Sequence, residues 1–375
     1  MLPHQFERRV LIAVTGLSPQ VVTETLYGLA LRCTPSFVPT EIHLVTTIEG
    51  AHRAKLDLLH EESGKFLALC REYDLPAIAF DSSTIHVIKD SYGHEMDDIR
   101  TPEENEAAAD YITSLLSSLT QDPNTAIHVS IAGGRKTMGY YLGYALSLFG
   151  REQDRLSHVL VNEGYESHKD FFYPTLKSNV IYGRGGRPLD TSKAELALAQ
   201  IPFIRIRDSI PESLRSGQAG FLQTINLAKK AEMDPELIID RAQKKISANG
   251  VVFTLKDILF AFYCWVIDQT LNQEILLHKP NDYEPEVQYA EQFIAQYIKL
   301  VGEDRDIDKT VDGLSKGMDS NFFSEKKSRI NQSLKKILGK RLAENFEIKG
   351  LGKRGDMFFA TRLKPEQVVF GLIQQ

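Results

Sequence analysis

The chain has 375 residues, enough for two domains of ordinary size, and its 42% hydrophobic and 25% charged residues are the balance of a globular protein. No apolar run approaches the roughly 20 residues of a membrane helix, and Met1-Leu2-Pro3-His4 carries no signal-peptide pattern. Cys33, Cys70 and Cys264 stand far apart in apolar stretches with no CxxC, which argues against structural zinc and favours a reducing cytoplasm. The net charge of −6 is uneven: from Ser320 onward twelve Lys and Arg stand against five Asp and Glu, leaving this stretch at +7 and the remainder at −13. A basic C-terminal lobe suits a polyanion or an acidic partner; a solvated surface with scattered lysines gives the same count.

The first half alternates strand and helix patterns. Val10 to Val14 is wholly apolar, as in a strand buried on both faces. It runs into Thr15-Gly16-Leu17-Ser18-Pro19 and a helix from Val21 to Leu31, with Ser18 as the cap and Pro19 in the first turn. A strand at Ile42–Thr46, a long helix at 51–73, a strand at Ala77–Phe80 and a helix at Pro102–Leu119 capped by Thr101 follow. A strand at Ala126–Ala132, a helix at Met138–Phe149 and a strand at Leu156–Val161 close the series. The alternation predicts an α/β fold, a Rossmann-like parallel sheet with helices on both faces. Residues 162–187 read as loop, with a flexible basic turn at Gly183–Pro188 that serves as a lid or as plain surface; 195–206 read as strand and 218–231 as a short helix. The domain boundary falls near 215–235, giving domains of 1–215 and 235–375.

In the second lobe, Asn249-Gly250 between apolar runs is a hairpin signal. Thr254 caps a helix through Leu271 with Leu255, Ile258, Leu259, Phe262 and Trp265 on its apolar face; another helix runs from Glu286 to Val301. A helix at Ser324–Leu338 carries Ile330, Leu334 and Ile337 on one side. Its other side carries Lys326, Lys327, Arg329, Asn331, Gln332, Lys335 and Lys336. Strands at Phe346–Ile348 and Met357–Ala360 flank a Gly/Lys/Arg turn with Lys353 and Arg354. A basic helix followed by a basic hairpin is the pattern of a winged helix-turn-helix-like α+β domain. Such a domain either contacts double-stranded DNA or serves dimerisation.

The chemistry concentrates at Ser130-Ile131-Ala132-Gly133-Gly134-Arg135-Lys136-Thr137-Met138, a strand end, a tight turn and a helix start. Helix starts expose unpaired N–H groups, two glycines admit an anion to the backbone, and Arg135 and Lys136 add full charges, so the segment is a ready phosphate site. It matches neither GxGxxG nor GxxxxGK[ST]. If the turn after the first strand shares its rim, Thr15, Gly16, Leu17, Ser18 and Gln20 join Gly133, Gly134 and Thr137 in one anion pocket, with Thr47 from the second strand end. Histidines show no HExxH or HxH; His43, His128 and His158 lie in or beside apolar strands, as satisfied structural histidines do. No metal or cofactor is called for. An RNA brings its own nucleophile, the 2′-OH. A pocket that aligns it with the leaving 5′-oxygen gains from orientation, and Arg135 and Lys136 stabilise the phosphorane while Ser18 orients the 2′-OH or the phosphate. The same groups also suit binding without cutting.

Leu11 through Tyr27 and Ser130 through Met138 resemble the CRISPR-associated Rossmann-fold (CARF) family, and within it the subfamily labelled as CRISPR-associated ring nucleases. Asp98-Ile99-Arg100-Thr101, Asp154 to Val161 and Phe171-Phe172-Tyr173-Pro174 extend the likeness over roughly the first 175 residues. The resemblance implies a homodimer that binds a cyclic oligoadenylate, tetra- or hexa-adenylate, in type III CRISPR defence. It implies either cleavage of that ring, with Ser18 and Lys136 at the positions that matter, or sensing of it to gate the second domain. The Arg-x4-His motif of RNase effectors in this family is absent here.

Overall fold

Alternate residues of the first strand bury against different helices, and this fixes the architecture around them. In the computed structural model, which describes residues 1–166, 168–212, 214–215, 220–272, 276–281, 283–302, 305–353 and 356–373, the chain divides into two compact units. One comprises residues 1–207 and 214–224, the other 208–213 and 225–375.

The first unit contains, in order, β1 (Arg8–Val14), α1 (Gln20–Tyr27), β2 (Glu41–Thr46), α2 (Ile48–Leu59), α3 (Lys65–Glu72), β3 (Ile85–Val87) and α4 (Pro102–Leu119). It continues with β4 (Thr125–Ser130), α5 (Lys136–Phe149), β5 (Arg155–Val161), β6 (Val180–Tyr182), β7 (Pro188–Asp190) and β8 (Leu196–Gln200), and reaches the start of α6 (Phe221–Lys230). The main sheet has the order β3-β2-β1-β4-β5-β8, parallel throughout except β8, which runs against β5. Leu11 and Ala13 of β1 pack with Val22 and Leu26 of α1, Ala54 and Leu58 of α2 and Phe66 of α3. Val10, Ile12 and Val14 pack on the other face with Ile112 and Leu116 of α4 and Leu142 and Leu146 of α5. The sheet is thus covered on both faces, which is what the wholly apolar stretch Val10–Val14 requires. Each fully buried Leu, Ile or Val stabilises the unit by about 1.5–3 kcal/mol.

Several sequence expectations need correction. Ser18 does not cap α1: the N-cap is Pro19, with no side-chain bond to the helix. The helix expected over 51–73 breaks into α2 and α3, because Gly64 lies so close to the Leu58 and His60 carbonyls that no side chain fits. Ala77–Phe80 forms only a single bridge, Ala79 to Glu41; after a tight turn at 82–84 the edge strand is β3. The segment expected as loop over 162–187 contains β6, which pairs with β7. Thr101 caps α4 as expected, accepting from the Glu104 N–H at 3.2 Å while the Glu104 carboxylate accepts from the Thr101 N–H at 2.9 Å.

The second unit opens with β9 (Leu237–Asp240), β10 (Lys245–Ala248) and β11 (Val251–Phe253), followed by α7 (Asp257–Asn272), α8 (Val287–Val301), α9 (Arg305–Gly313), α10 (Ser320–Leu338) and α11 (Lys340–Ala343). It ends with β12 (Lys349–Lys353), β13 (Asp356–Ala360) and β14 (Val368–Phe370). Asn249 and Gly250, both at positive φ, turn β10 into β11, the hairpin expected there, and β10 also pairs with β9. α7 begins at Asp257, so Thr254 does not cap it, and it is buried all round from Leu259 to Ile267 rather than on one face. Phe262, Trp265, Phe293 and Phe323 interlock edge to face at its centre. The first strand of this hairpin is β12, so residues 349–353, expected in a turn, are part of the ladder with β13. Among the described residues no helix is long and apolar enough to cross a membrane.

Candidate functional site

β1 and β4 are neighbours, and the chain leaves them toward opposite edges of the sheet, so the strand order reverses between their carboxyl ends. Open α/β sheets leave a crevice there. The loops 15–19 and 131–135 form its rim, and they meet. A Cβ on Gly16 would lie 3.8 Å from the Gly134 α-carbon. Gly134 takes a φ of 76°, a left-handed conformation that glycine enters without strain. No side chain caps the first N–H groups of α1 or α5, so both helix starts present donors and partial positive charge at the same rim.

A cleft of about 320 Å³ opens between these loops. Its walls are Gly16, Leu17, Ser18, Gln20, Val21 and Glu24 from one side, Ala132, Gly133 and Gly134 from the second, and the β5 stretch His158 to Val161 with Glu166 from the third. Ser18 is exposed and bonds to no described residue. Gln20 is held by a bond from its amide nitrogen to the Lys169 carbonyl (3.1 Å), while its amide oxygen is buried without a partner. Leu17, Ser18 and Gln20 also border a second cleft, of about 550 Å³, lined by Arg53, Lys65 and Lys169 together with Asp57 and Asp170.

The other expected contacts lie outside the cleft wall. Thr15 is fully buried with an unpartnered hydroxyl, its carbonyl accepting from the Thr46 hydroxyl at 2.8 Å. Thr47 is buried at the N-cap of α2. Lys136 and Thr137, in the first turn of α5, are exposed, and Lys136 is paired with no described residue. Arg135 is not a free charge: its Nε donates to Asp98 at 2.8 Å, its Nη2 to the second Asp98 oxygen, and Arg100 donates to that oxygen at 3.0 Å. These bonds hold the Asp98 carboxyl well below the usual carboxylate range, and the Arg135 guanidinium correspondingly above its own.

Sequence reasoning missed Glu24 and Glu166. Glu24 looks like the solvent face of an amphipathic helix, yet it is 7% exposed and lines the cleft one turn beyond Gln20. Its carboxyl takes no hydrogen bond from a described residue; burial, helped by the Glu166 charge, pushes it up to about 8. His158, in β5 opposite Ala199 as a strand residue, also lines the cleft. His128 serves inside the sheet: buried against the Ser157 hydroxyl at 2.7 Å, it is lowered to about 3 and stays neutral. His43 and His86 stack on each other, 2.7 Å between ring nitrogens.

In the second unit most of the α10 cations are already engaged. Lys326 is buried over the Phe322 ring (4.8 Å) and reaches Glu325 at 3.3 Å; Lys327 lies over Phe359 (4.5 Å). Arg329 pairs with Glu325 at 2.9 Å, and Lys335 with the buried Glu347 at 2.9 Å. Gln332, Lys336 and Lys353 remain exposed without a partner among the described residues, and Arg354 lies outside those residues.

The family model described as CRISPR-associated protein NE0113 matches residues 18–230, from Ser18 at the rim to the end of α6. The chain belongs to this family. As a member of it, the protein carries the matched region from Ser18 and Pro19 at the end of the first rim loop through Glu24, the whole of the 131–135 loop and Glu166. No curated protein matches the chain.

Proposed function

We propose that the first unit binds a cyclic oligoadenylate of type III CRISPR signalling and opens the ring, ending the signal. The reading rests on one observation: two glycine-bearing loop tips meet beside Ser18, at two helix starts with uncapped N–H groups, in a CRISPR-associated family member. Phosphates of the ring take the N–H groups of the 133–137 turn and of the loop after β1. Two copies of the unit about a two-fold axis present the site twice, matching the symmetry of a tetra- or hexa-adenylate ring. The ring supplies the nucleophile. A ribose 2′-oxygen, oriented by Ser18, attacks the adjacent phosphorus and loses its proton; the bond from phosphorus to the 5′-oxygen breaks and that oxygen takes up a proton. The ends are a 2′,3′-cyclic phosphate and a 5′-OH. Lys136, unpaired in the first turn of α5, swings to the phosphorane and offsets its added charge.

Incubation of the purified protein with cyclic tetra-adenylate and cyclic hexa-adenylate in EDTA tests this. Linear products with those ends, lost in Lys136→Ala, support it; an intact ring bound tightly supports sensing instead. Sensing draws on a specific feature, the succession α10, α11 and the β12–β13 hairpin, which suits a ring-gated DNA contact. DNA affinity that changes on adding the ring, at fixed salt, is its test.

A further inference from the structure

The wall of the cleft made by α1 is acidic where the rim is made for anions. Glu24 is 7% exposed, lines the cleft, and has a carboxyl with no partner among the described residues. A second carboxylate, Glu166, stands across from it. The Glu166 charge makes this end of the cleft less favourable for a phosphate than the rim, so it suits a base better than the backbone of the ring. A neutral carboxyl offers one O–H donor beside one carbonyl acceptor. Each edge of adenine that bears the amino group presents the complement, an N–H2 donor beside a ring-nitrogen acceptor, whereas the major-groove edge of guanine presents two acceptors.

We infer that the Glu24 carboxyl pairs with the amino and ring-nitrogen edge of one adenine, making Glu24 a base-contacting residue of the cleft. This rests on the ring-binding reading above. Burial keeps the group protonated at neutral pH, since its carboxyl is pushed up to about 8. The ionisable groups around it are few. β5 contributes His158 and the following loop Glu166. Just after α3, Tyr73 packs on Tyr27 at the far end of α1 and donates to the Pro174 carbonyl at 2.7 Å. The Glu24 carboxyl, pushed up to about 8, changes its charge between pH 7.5 and 9.5.

The test is calorimetric titration with a 2′-deoxy cyclic tetra-adenylate, which cannot be cut, at pH 7.5, 8.5 and 9.5. Wild-type affinity falls about tenfold across that range as Glu24 loses its proton. Glu24→Gln, whose amide keeps a donor beside an acceptor, retains affinity within about threefold at pH 7.5 and shows a flat profile. Glu24→Leu binds about 5- to 150-fold more weakly at pH 7.5, the range of one bidentate base contact. A flat wild-type profile, or Glu24→Leu binding as tightly as wild type, overturns this inference and leaves ring binding standing. A wild-type protein that takes up no adenylate ring at any of the three pH values overturns the ring-binding reading, and this one with it.

Discussion

Gly133 packs against Val14 so closely that a methyl group on its α-carbon would lie 2.7 Å from the Val14 carbonyl oxygen, and 2.8 Å from a Val21 methyl. Backbone cannot yield there as a flexible side chain can. Gly133→Ala therefore pushes the turn after β4 away from the loop after β1, at a cost of about 1–3 kcal/mol of overpacking. We expect a lower melting temperature and, on the ring-binding reading, weaker ring affinity. Unchanged affinity by calorimetry would mean that the contact between the loops does not shape the site.

Ser18 makes no capping bond, so its hydroxyl has no structural debt to the helix it precedes. Ser18→Ala should leave stability within about 0.5 kcal/mol, whereas loss of a capping serine costs about 0.5–2 kcal/mol. Single-turnover ring opening should slow by about 10²–10³ in Ser18→Ala and in Lys136→Ala. If either variant opened the ring at the wild-type rate, that residue would have no part in the chemistry.

Glu24 also marks the pH dependence of folding. Its native carboxyl sits at about 8 against an ordinary 4.5, so the native state keeps a proton that the unfolded chain releases between those values. Its contribution to stability is complete below pH 4.5, declines as pH rises to about 8, and is level above. Glu24→Gln does not titrate and should gain on wild type across that window, by about 1–4 kcal/mol at its upper end. Melting temperatures of both proteins from pH 4.5 to 9 check this; a constant difference would show that Glu24 ionises at its ordinary value.

The α10 lysines should divide into two kinds. Lys326, buried on Phe322, is a packing residue, and Lys326→Ala should lower the melting temperature. Lys336 and Lys353 are exposed and unpaired among the described residues, so on the DNA-contact reading each alanine variant should reduce the slope of log affinity against log salt by about one, with no thermal effect. Slopes equal to wild type would remove both residues from any nucleic-acid surface.

How much of this was legible beforehand depends on whether a residue's role is local. The apolar run of β1, the Thr101 capping box and the glycine pair before α5 announce themselves, because neighbouring residues decide them. The break between α2 and α3 hides because His60 to Gly64 carry no proline, and the steric reason, two carbonyls crowding Gly64, exists only once the turn has formed. β3 and β10 are short strands stabilised by their partners rather than by their own composition. Glu24 is the sharpest case. A lone acid in an apolar helix reads as solvent-facing; its burial is imposed by β5 and the Glu166 loop, which lie more than a hundred residues away in the chain. The charge count in the C-terminal stretch was right, but how its lysines are shared among Phe322, Phe359, Glu325 and Glu347 is a tertiary matter.

The direction of a single strand has a last effect. β5 finishes at the end of the sheet where the loops meet, and β8, running the opposite way, must begin at that same end. Residues 162–195 therefore leave from and return to one side of the molecule, as a tethered excursion rather than a crossing. A sixth strand laid parallel would have required this stretch to cross to the far end before the strand began. The excursion thus supplies Glu166 to the mouth of the cleft while its Phe172 and Tyr173 anchor it in the core on one face of the sheet.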